Sequence, residues 1–395
     1  MIFRWILSLC VYIFIFWFNI KVDFKYPLLY VSLLILSLFI IVFGLWIIIK
    51  RRLNHEKNLA KQPKPLSDYR LVVSTVFKNE GEIVVETLKH YLNYKNQPKI
   101  VFYDDHSNDN SFEKLKQIEQ ENKANCNIKR LQRSKKILHP KGMGFEDLIN
   151  HYAGDYYLIL DADTLIREEE VEKAFKIMTD QDLKVLHFTR RNDRSDDLAN
   201  QIADTEELFS TVNKVLGIFP WYFNGSGFII RADTAKKMVY DEYSPSDDSQ
   251  ISLFLRKNNI KVFDTLSLFA HEKAPTTVKK LIKQHSSWTK GGVHHYLEKE
   301  TFTIFPLAFI SAYFLFALFN PLQLYNVVLP MAFIFFFSVD WLANKIIAKR
   351  TIGVSLRNAL YHTLSLFFKG MVIVPWHIVT FPFKRHSFWF SKTQY

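Results

Sequence analysis

The chain is poor in the residues that small folds lean on. Only 2 of its 395 residues are cysteine, Cys10 in an apolar run and Cys126 in a polar one. A disulfide scaffold is excluded, and a reducing, cytosolic setting suits the polar part. Glycine is scarce at 12 residues, whereas 49% of the chain is apolar and 36 residues are phenylalanine. So much apolar surface must be buried, which excludes intrinsic disorder. Acidic residues are also in deficit: 39 Asp and Glu against 51 Lys and Arg leave a net charge of +12. No nucleic-acid motif and no internal repeat accompanies that charge. It suits anionic headgroups and anionic substrates instead.

Charge is missing altogether from several runs. Leu28 to Ile49 has none. At about 1.5 Å per residue such a run can span a bilayer core of roughly 30 Å. Trp5 to Ile20 is also uncharged, behind Arg4. With no small-residue cleavage site, it reads as an anchor and not a signal peptide. Thr301 to Val339 is uncharged, with Asn320-Pro321 near its middle for a turn. Lys50-Arg51-Arg52 and the Lys345, Lys349 and Arg350 group flank these runs, and positive flanks lie inside. The expected organisation is two transmembrane helices over 1–52, a linker over 53–69 and a cytosolic domain over 70–278. An amphipathic interfacial helix over 279–300 follows, where lysines alternate with Leu281, Ile282, Trp288 and Val293. Two transmembrane helices over 301–343 come next. A basic loop, an interfacial or re-entrant segment and a cytosolic tail make up 344–395. Together these place the chain in a membrane, with its polar block expected in the cytosol.

Within the polar block, Leu71–Phe77, Lys99–Tyr103 and Tyr156–Leu160 read as short buried strands. Helix-like stretches follow each. One is placed at Asn79–Leu92, with Asn79 as its cap and Glu82 three residues on. Strand–helix alternation predicts an α/β fold with a parallel sheet covered on both faces. Acidic clusters stand at the carboxyl ends of two strands, Asp104-Asp105 and Asp161-Ala162-Asp163. That is where open α/β sheets bind ligands. Alternation along an extended chain would point Asp161 and Asp163 the same way. Two converging carboxylates call for a cation, and hard oxygen ligands suit Mg²⁺ or Mn²⁺. The plainer reading is that each cluster caps a helix. Ser246-Asp247-Asp248 is a third cluster. Capping and general-base catalysis explain Asp248 equally well.

Taken in order, these segments resemble a membrane-embedded, inverting family 2 glycosyltransferase with a GT-A, Rossmann-like domain. The closer likeness is to the synthases of cellulose, hyaluronan, chitin and poly-N-acetylglucosamine, over roughly residues 70–295. Val72 to Glu80 resembles the family's first strand and N-E turn. Asp104-Asp105-His106-Ser107-Asn108-Asp109 resembles its uridine-holding D-D-x-S-x-D. The segment begun by Lys141 is similar to K-x-x-A-L-N. The resemblance implies donor contacts at Thr75, Glu80, Asp104, Asp105, Lys141, Asp161, Gln284 and Trp288, and a metal at Asp161 and Asp163. It implies acceptor contacts at Gly225, Ser226, Gly227, Arg231 and Trp288. Asp248 would be the base, with Asp247 beside it. Two positions depart from the pattern: Glu146 replaces an Asn, and Ser287 replaces the Arg of Q-x-x-R-W that meets the pyrophosphate. The implied reaction is transfer from a nucleotide sugar, a UDP-sugar, to a growing polysaccharide or lipid-linked glycan. A dimer or an export partner would complete any channel. The alternatives are transfer of one sugar to a lipid acceptor and an inactive membrane subunit.

Overall fold

Residues 27–132, 140–192, 197–217, 225–239, 247–286 and 328–369 of the computed structural model are described here. They divide into two compact units. One is drawn from Met1–Lys50 and Phe305–Pro375, the other from Arg51–Ile304 and Trp376–Tyr395.

The second unit is built on seven strands: β1 (Leu71–Phe77), β2 (Lys99–Asp104), β3 (Cys126–Arg130), β4 (Tyr156–Leu160), β5 (Val185–Arg191), β6 (Phe228–Arg231) and β7 (Val262–His271). They form one sheet in the order β3-β2-β1-β4-β6-β5-β7. Strands β1, β2, β3 and β4 are mutually parallel, and β5 runs parallel to β7. The expected all-parallel sheet needs one correction, because β6 is antiparallel to both β4 and β5. That reversal places the start of β6 beside the end of β4.

Successive strand residues feed two cores, as the two-residue side-chain period requires. Val73, Phe102 and Leu158 pack on one face with Val84 and Leu88 of α2 (Glu82–Leu92), Leu115 of α3 (Ser111–Glu121) and Phe175 of α5 (Glu168–Asp180). Val72, Val101 and Tyr157 point the other way. They meet Phe145 and Leu148 of α4 (Pro140–His151) and Ile251 and Leu255 of α7 (Asp247–Lys257). Burial on both faces explains why β1 and β4 read as nearly unbroken apolar runs. Helix α4 sits tight on the sheet: a Cβ on Gly144 would come within 2.5 Å of Val76 Cγ2. Helix α6 (Leu198–Leu216) is capped by Asp197, which accepts from Asn200 N, and ends at left-handed Gly217.

Helix α1 (Pro27–Leu59) runs into this unit, so the segment expected as a linker is helical through Leu59. Its sequence is polar, but Glu56 is fully buried. The Glu56 carboxylate accepts from Leu266 N, Ser267 N and Ser267 Oγ at 2.7–3.0 Å. Arg52 pairs with it at 2.7 Å and donates to Asp264 O. The helical part of 279–300 that is described, over 278–286, packs Leu281 onto Ile202 and Ala203 of α6.

In the first unit, α8 (Val328–Leu342) leads through a wide turn at Ala343–Ile347 to α9 (Ile352–Phe368). Helix α9 stands where a basic loop followed by an interfacial or re-entrant segment is expected. Among the described residues, no helix is long and apolar enough to cross a membrane. The runs over 5–20 and 301–327 and the tail over 370–395 lie outside the described residues.

Candidate active site

Every element that ends at the carboxyl edge of β1 and β4 brings a polar group. Thr75 of β1 is buried and donates to Leu160 O at 3.0 Å, tying β1 to the end of β4. After Phe77 the chain makes a tight turn in which Asn79 has a φ of +55°. Asn79 therefore does not cap α2. Its side-chain oxygen accepts from Asn108 N and its amide donates to Ser107 Oγ. Helix α2 begins only at Glu82, which leaves Glu80 facing the cleft. Burial, with help from Asp161 and Asp109, pushes the Glu80 carboxyl above the usual range.

Asp104 and Asp105 end β2 and are both buried. Asp104 accepts from Ser107 N at 2.9 Å and from Arg130 Nε at 3.0 Å. Asp105 lies 3.7 Å from Lys78 Nζ. Neither lines the cleft that holds the Asp161 pair.

Asp161 and Asp163 line one cleft of about 310 Å³. They do so from a turn and not from an extended strand, since Thr164 N donates back to Asp161 O. The turn is pinned from three sides. Asp161 N donates to Ser226 Oγ at 2.8 Å, and Asp163 Oδ2 accepts from Lys273 N at 3.0 Å. Thr164 and Ser226 both donate to Glu272 Oε1, at 2.8 and 3.0 Å. Ser226 reaches this position because antiparallel β6 starts here. Gly227 beside it has a φ of +67°, and a Cβ there would meet Ala270 Cβ at 3.1 Å.

The charges in the cleft are interleaved. Lys141 Nζ of α4 bonds Asp161. Arg190 of β5 bonds Glu272 and lies 3.6 Å from Glu207. Burial works to raise the Asp161 carboxyl, but Lys141 and Arg190 outweigh it and hold it low. Arg190 acts on Asp163 too, but it is outweighed there. Burial, then Glu272 and Asp161, push it up to about 7. A group so placed gains from a cation. Among the described residues, no set of three His, Cys, Asp or Glu side chains is arranged to hold a metal unaided. An ion such as Mg²⁺ or Mn²⁺ takes one or two carboxylates and keeps its other sites for water and phosphate. Asp161 and Asp163 fit that role.

The remaining predicted residues divide. Gln284 lines the cleft, next to His285, whose Nε2 pairs with Glu206 at 2.5 Å. Gly225 and Gly227 are buried in the turn that carries Ser226. Asp247 and Asp248 open α7. Asp248 is half-buried and is one of the charges, with Glu207, Asp264 and Arg190, that act on buried Lys214. Arg231 is not with the others. It pairs with Tyr156, at the start of β4, and its guanidinium bonds Asp182 and Asp233. An antiparallel β6 cannot bring both Ser226 and Arg231 to the same edge of the sheet. Trp288 lies outside the described residues. Glu272, Arg190 and Lys273 were not anticipated. Glu272 and Lys273 follow the end of β7 as the Asp161 cluster follows β4, so the strand-end rule points to them, whereas Arg190 stands inside β5.

The family model for glycosyl transferase family group 2 matches residues 156–383. The chain belongs to this family. It is thus a glycosyltransferase, of the family whose members move a sugar from a nucleotide-sugar donor. No curated protein matches it. Among solved structures it is similar to the mannosyltransferase PcManGT from Pyrobaculum calidifontis in complex with GDP-Man and Mn²⁺. That likeness has 15% identity and a TM-score of 0.50, over 87% of this chain and 96% of that one. It shows the GT-A fold. Weaker likenesses are to S. aureus TarS 1–349, at 14% identity and a TM-score of 0.36 over 75% and 91% of the two chains. A third is glucosyl-3-phosphoglycerate synthase from Mycobacterium tuberculosis, at 12% and 0.37 over 57% and 81%.

Proposed function

We propose that this glycosyltransferase works by metal-assisted inversion, with a UDP-sugar as donor and a growing polysaccharide or lipid-linked glycan as acceptor. The observation that carries the reading is the convergence of Glu80, Asp161, Asp163 and Glu272 with Lys141 and Arg190 on one cleft. A divalent cation held by Asp161 and Asp163 would neutralise the leaving diphosphate. The Mn²⁺ bound with GDP-Man in the similar mannosyltransferase supports that assignment. Lys141 already sits against Asp161 and is placed to follow the negative charge onto the diphosphate. Thr75, Asp104 and Asp105 fix the floor on which base and ribose rest. Asp248 removes the acceptor proton, and attack opposite the leaving group inverts the anomeric centre. Ser226 and its flanking glycines form the acceptor side, and Gln284 meets the donor. Arg190 and Lys273 supply the charge that Ser287 cannot.

The membrane setting is part of the same proposal. Helix α1 presents Leu36, Phe39, Ile40, Phe43, Trp46 and Ile48 outward. A surface of that kind supports a chain anchored in the inner membrane, with the sheet unit cytosolic.

The test uses the full chain with a panel of labelled nucleotide sugars, followed by mass analysis of lipid and polymer fractions. Transfer should need Mg²⁺ or Mn²⁺ and stop in chelator. Asp248→Asn should bind donor and melt normally yet transfer about 10²–10⁴-fold more slowly. Asparagine caps a helix nearly as well as aspartate. A variant that transfers at the parent rate would therefore reduce Asp248 to a cap and overturn the mechanism.

A further inference from the structure

Helix α9 is inverted relative to a helix on a water-soluble domain. Its buried side is polar: Ser355, Asn358, His362 and Thr363 face inward. They meet a polar side of α8. Asp340, itself fully buried, accepts from His362 Nδ1 at 2.9 Å and from Thr363 Oγ1 at 3.1 Å. Asn358 is buried with neither amide atom hydrogen-bonded. The outward side carries Ile352, Leu356, Leu360, Leu364 and Phe368, each 40–58% exposed. They recur every fourth residue and so make one stripe along the helix.

Water would penalise both halves of this arrangement, exposing the apolar residues and burying the polar ones. A hydrocarbon surrounding favours both. Side chains such as Asp and His then turn to the helix interface and pair there. The charges at the ends agree. Lys345, Lys349 and Arg350 precede α9 and Lys369 closes it, where anionic headgroups would meet them. Arg357 and Tyr361 lie beside the stripe, and both have long side chains that reach toward a polar boundary.

We propose that the Ile352–Leu356–Leu360–Leu364–Phe368 stripe lies against lipid acyl chains, with the Asp340–His362–Thr363 cluster clamping α9 to α8 from the inside. This rests on the membrane reading above and adds a lipid-facing helix to it.

The experiment places a nitroxide on the full chain in vesicles of mixed phosphatidylcholine and phosphatidylglycerol. The background carries Cys10→Ser and Cys126→Ala. Single labels go on Leu360→Cys and Leu364→Cys, with Phe39→Cys on α1 as a second site. Relaxation by oxygen should exceed relaxation by a water-soluble nickel chelate several-fold at both α9 positions. Strong relaxation by the nickel chelate there would mean a water-facing helix and overturn the proposal. Protection from both agents would mean a protein-covered stripe, as in a second copy of the chain, and would overturn it equally. Phe39→Cys separates the two readings. If it reports lipid while α9 reports water or protein, the anchor stands and the α9 proposal falls. If all three sites report water, both fall.

Discussion

Removing the Glu272 carboxylate tests whether the cleft is one network. Glu272 lies buried at the end of β7 and accepts from Arg190, Thr164 and Ser226. Glu272→Leu takes the nearest carboxylate from a nearly buried guanidinium and an acceptor from two hydroxyls. Breaking a buried pair from one side costs about 3–5 kcal/mol. Glu207 at 3.6 Å still faces Arg190, which puts the expected loss near the lower end, about 3 kcal/mol. In a domain of this size that is a fall in melting temperature of roughly 6–12 °C. Arg190→Met should cost a similar amount, since it takes the guanidinium away from Glu272 and Glu207. The double variant removes both charges together, so it should lose about 2 kcal/mol less than the sum of the single losses. Thermal melts of the full chain and its three variants decide the matter. Additive losses, or a single variant that melts within about 2 °C of the parent, would refute a coupled network.

Three further outcomes follow from the geometry. Gly144→Ala should destabilise by about 1–3 kcal/mol and weaken donor binding, because its Cβ would push α4, and Lys141 with it, off Val76; a melt beside a donor titration checks both. Asp163 holds a proton up to about 7, so Mn²⁺ binding to the donor-free chain should weaken up to tenfold per pH unit below that value. Asp163→Asn should abolish that pH dependence in calorimetry. Burial raises the Glu56 carboxyl in the folded chain, although Arg52, Leu266 and Ser267 pull it down. Its favourable share is therefore present below the unfolded value near 4.5 and is lost as pH rises through the folded one. The melting temperature of Glu56→Gln should accordingly improve relative to the parent between pH 4 and pH 7, and a flat difference would contradict this.

Much of the core was readable without coordinates. Strands β1 and β4 stand where their apolar runs placed them, because strands covered on both faces have little room for polar residues. Strand β3, Cys126–Arg130, alternates and ends in Lys and Arg, so its signal merged with the polar helix before it. The reversal of β6 was not readable at all. Four residues carry no direction, and the long α6 decides from which edge the chain re-enters. For the same reason the motif that groups Ser226 with Arg231 does not show that Arg231, five residues later, stands at the opposite edge. The Asn79 cap failed on a left-handed turn that Asn tolerates and a sequence pattern does not display.

The contact of Arg52 and Glu56 with β7 has a practical consequence. Strand β7 is the outermost of the sheet, ten residues long, and its pairing with β5 skips from Asp264 to Phe269. In that gap the Leu266 and Ser267 amides donate to Glu56 at the end of α1, while Thr265 O accepts from Thr189 Oγ1 of β5. An open outer strand of this length is a template for joining another chain edge to edge. The opposite border, β3, is short and guarded by Lys129 and Arg130. Shortened versions of the protein that start after residue 60 would thus uncover the more vulnerable border, and clumping of such fragments would reflect lost edge protection. Fragments meant for solution work should begin ahead of Arg52.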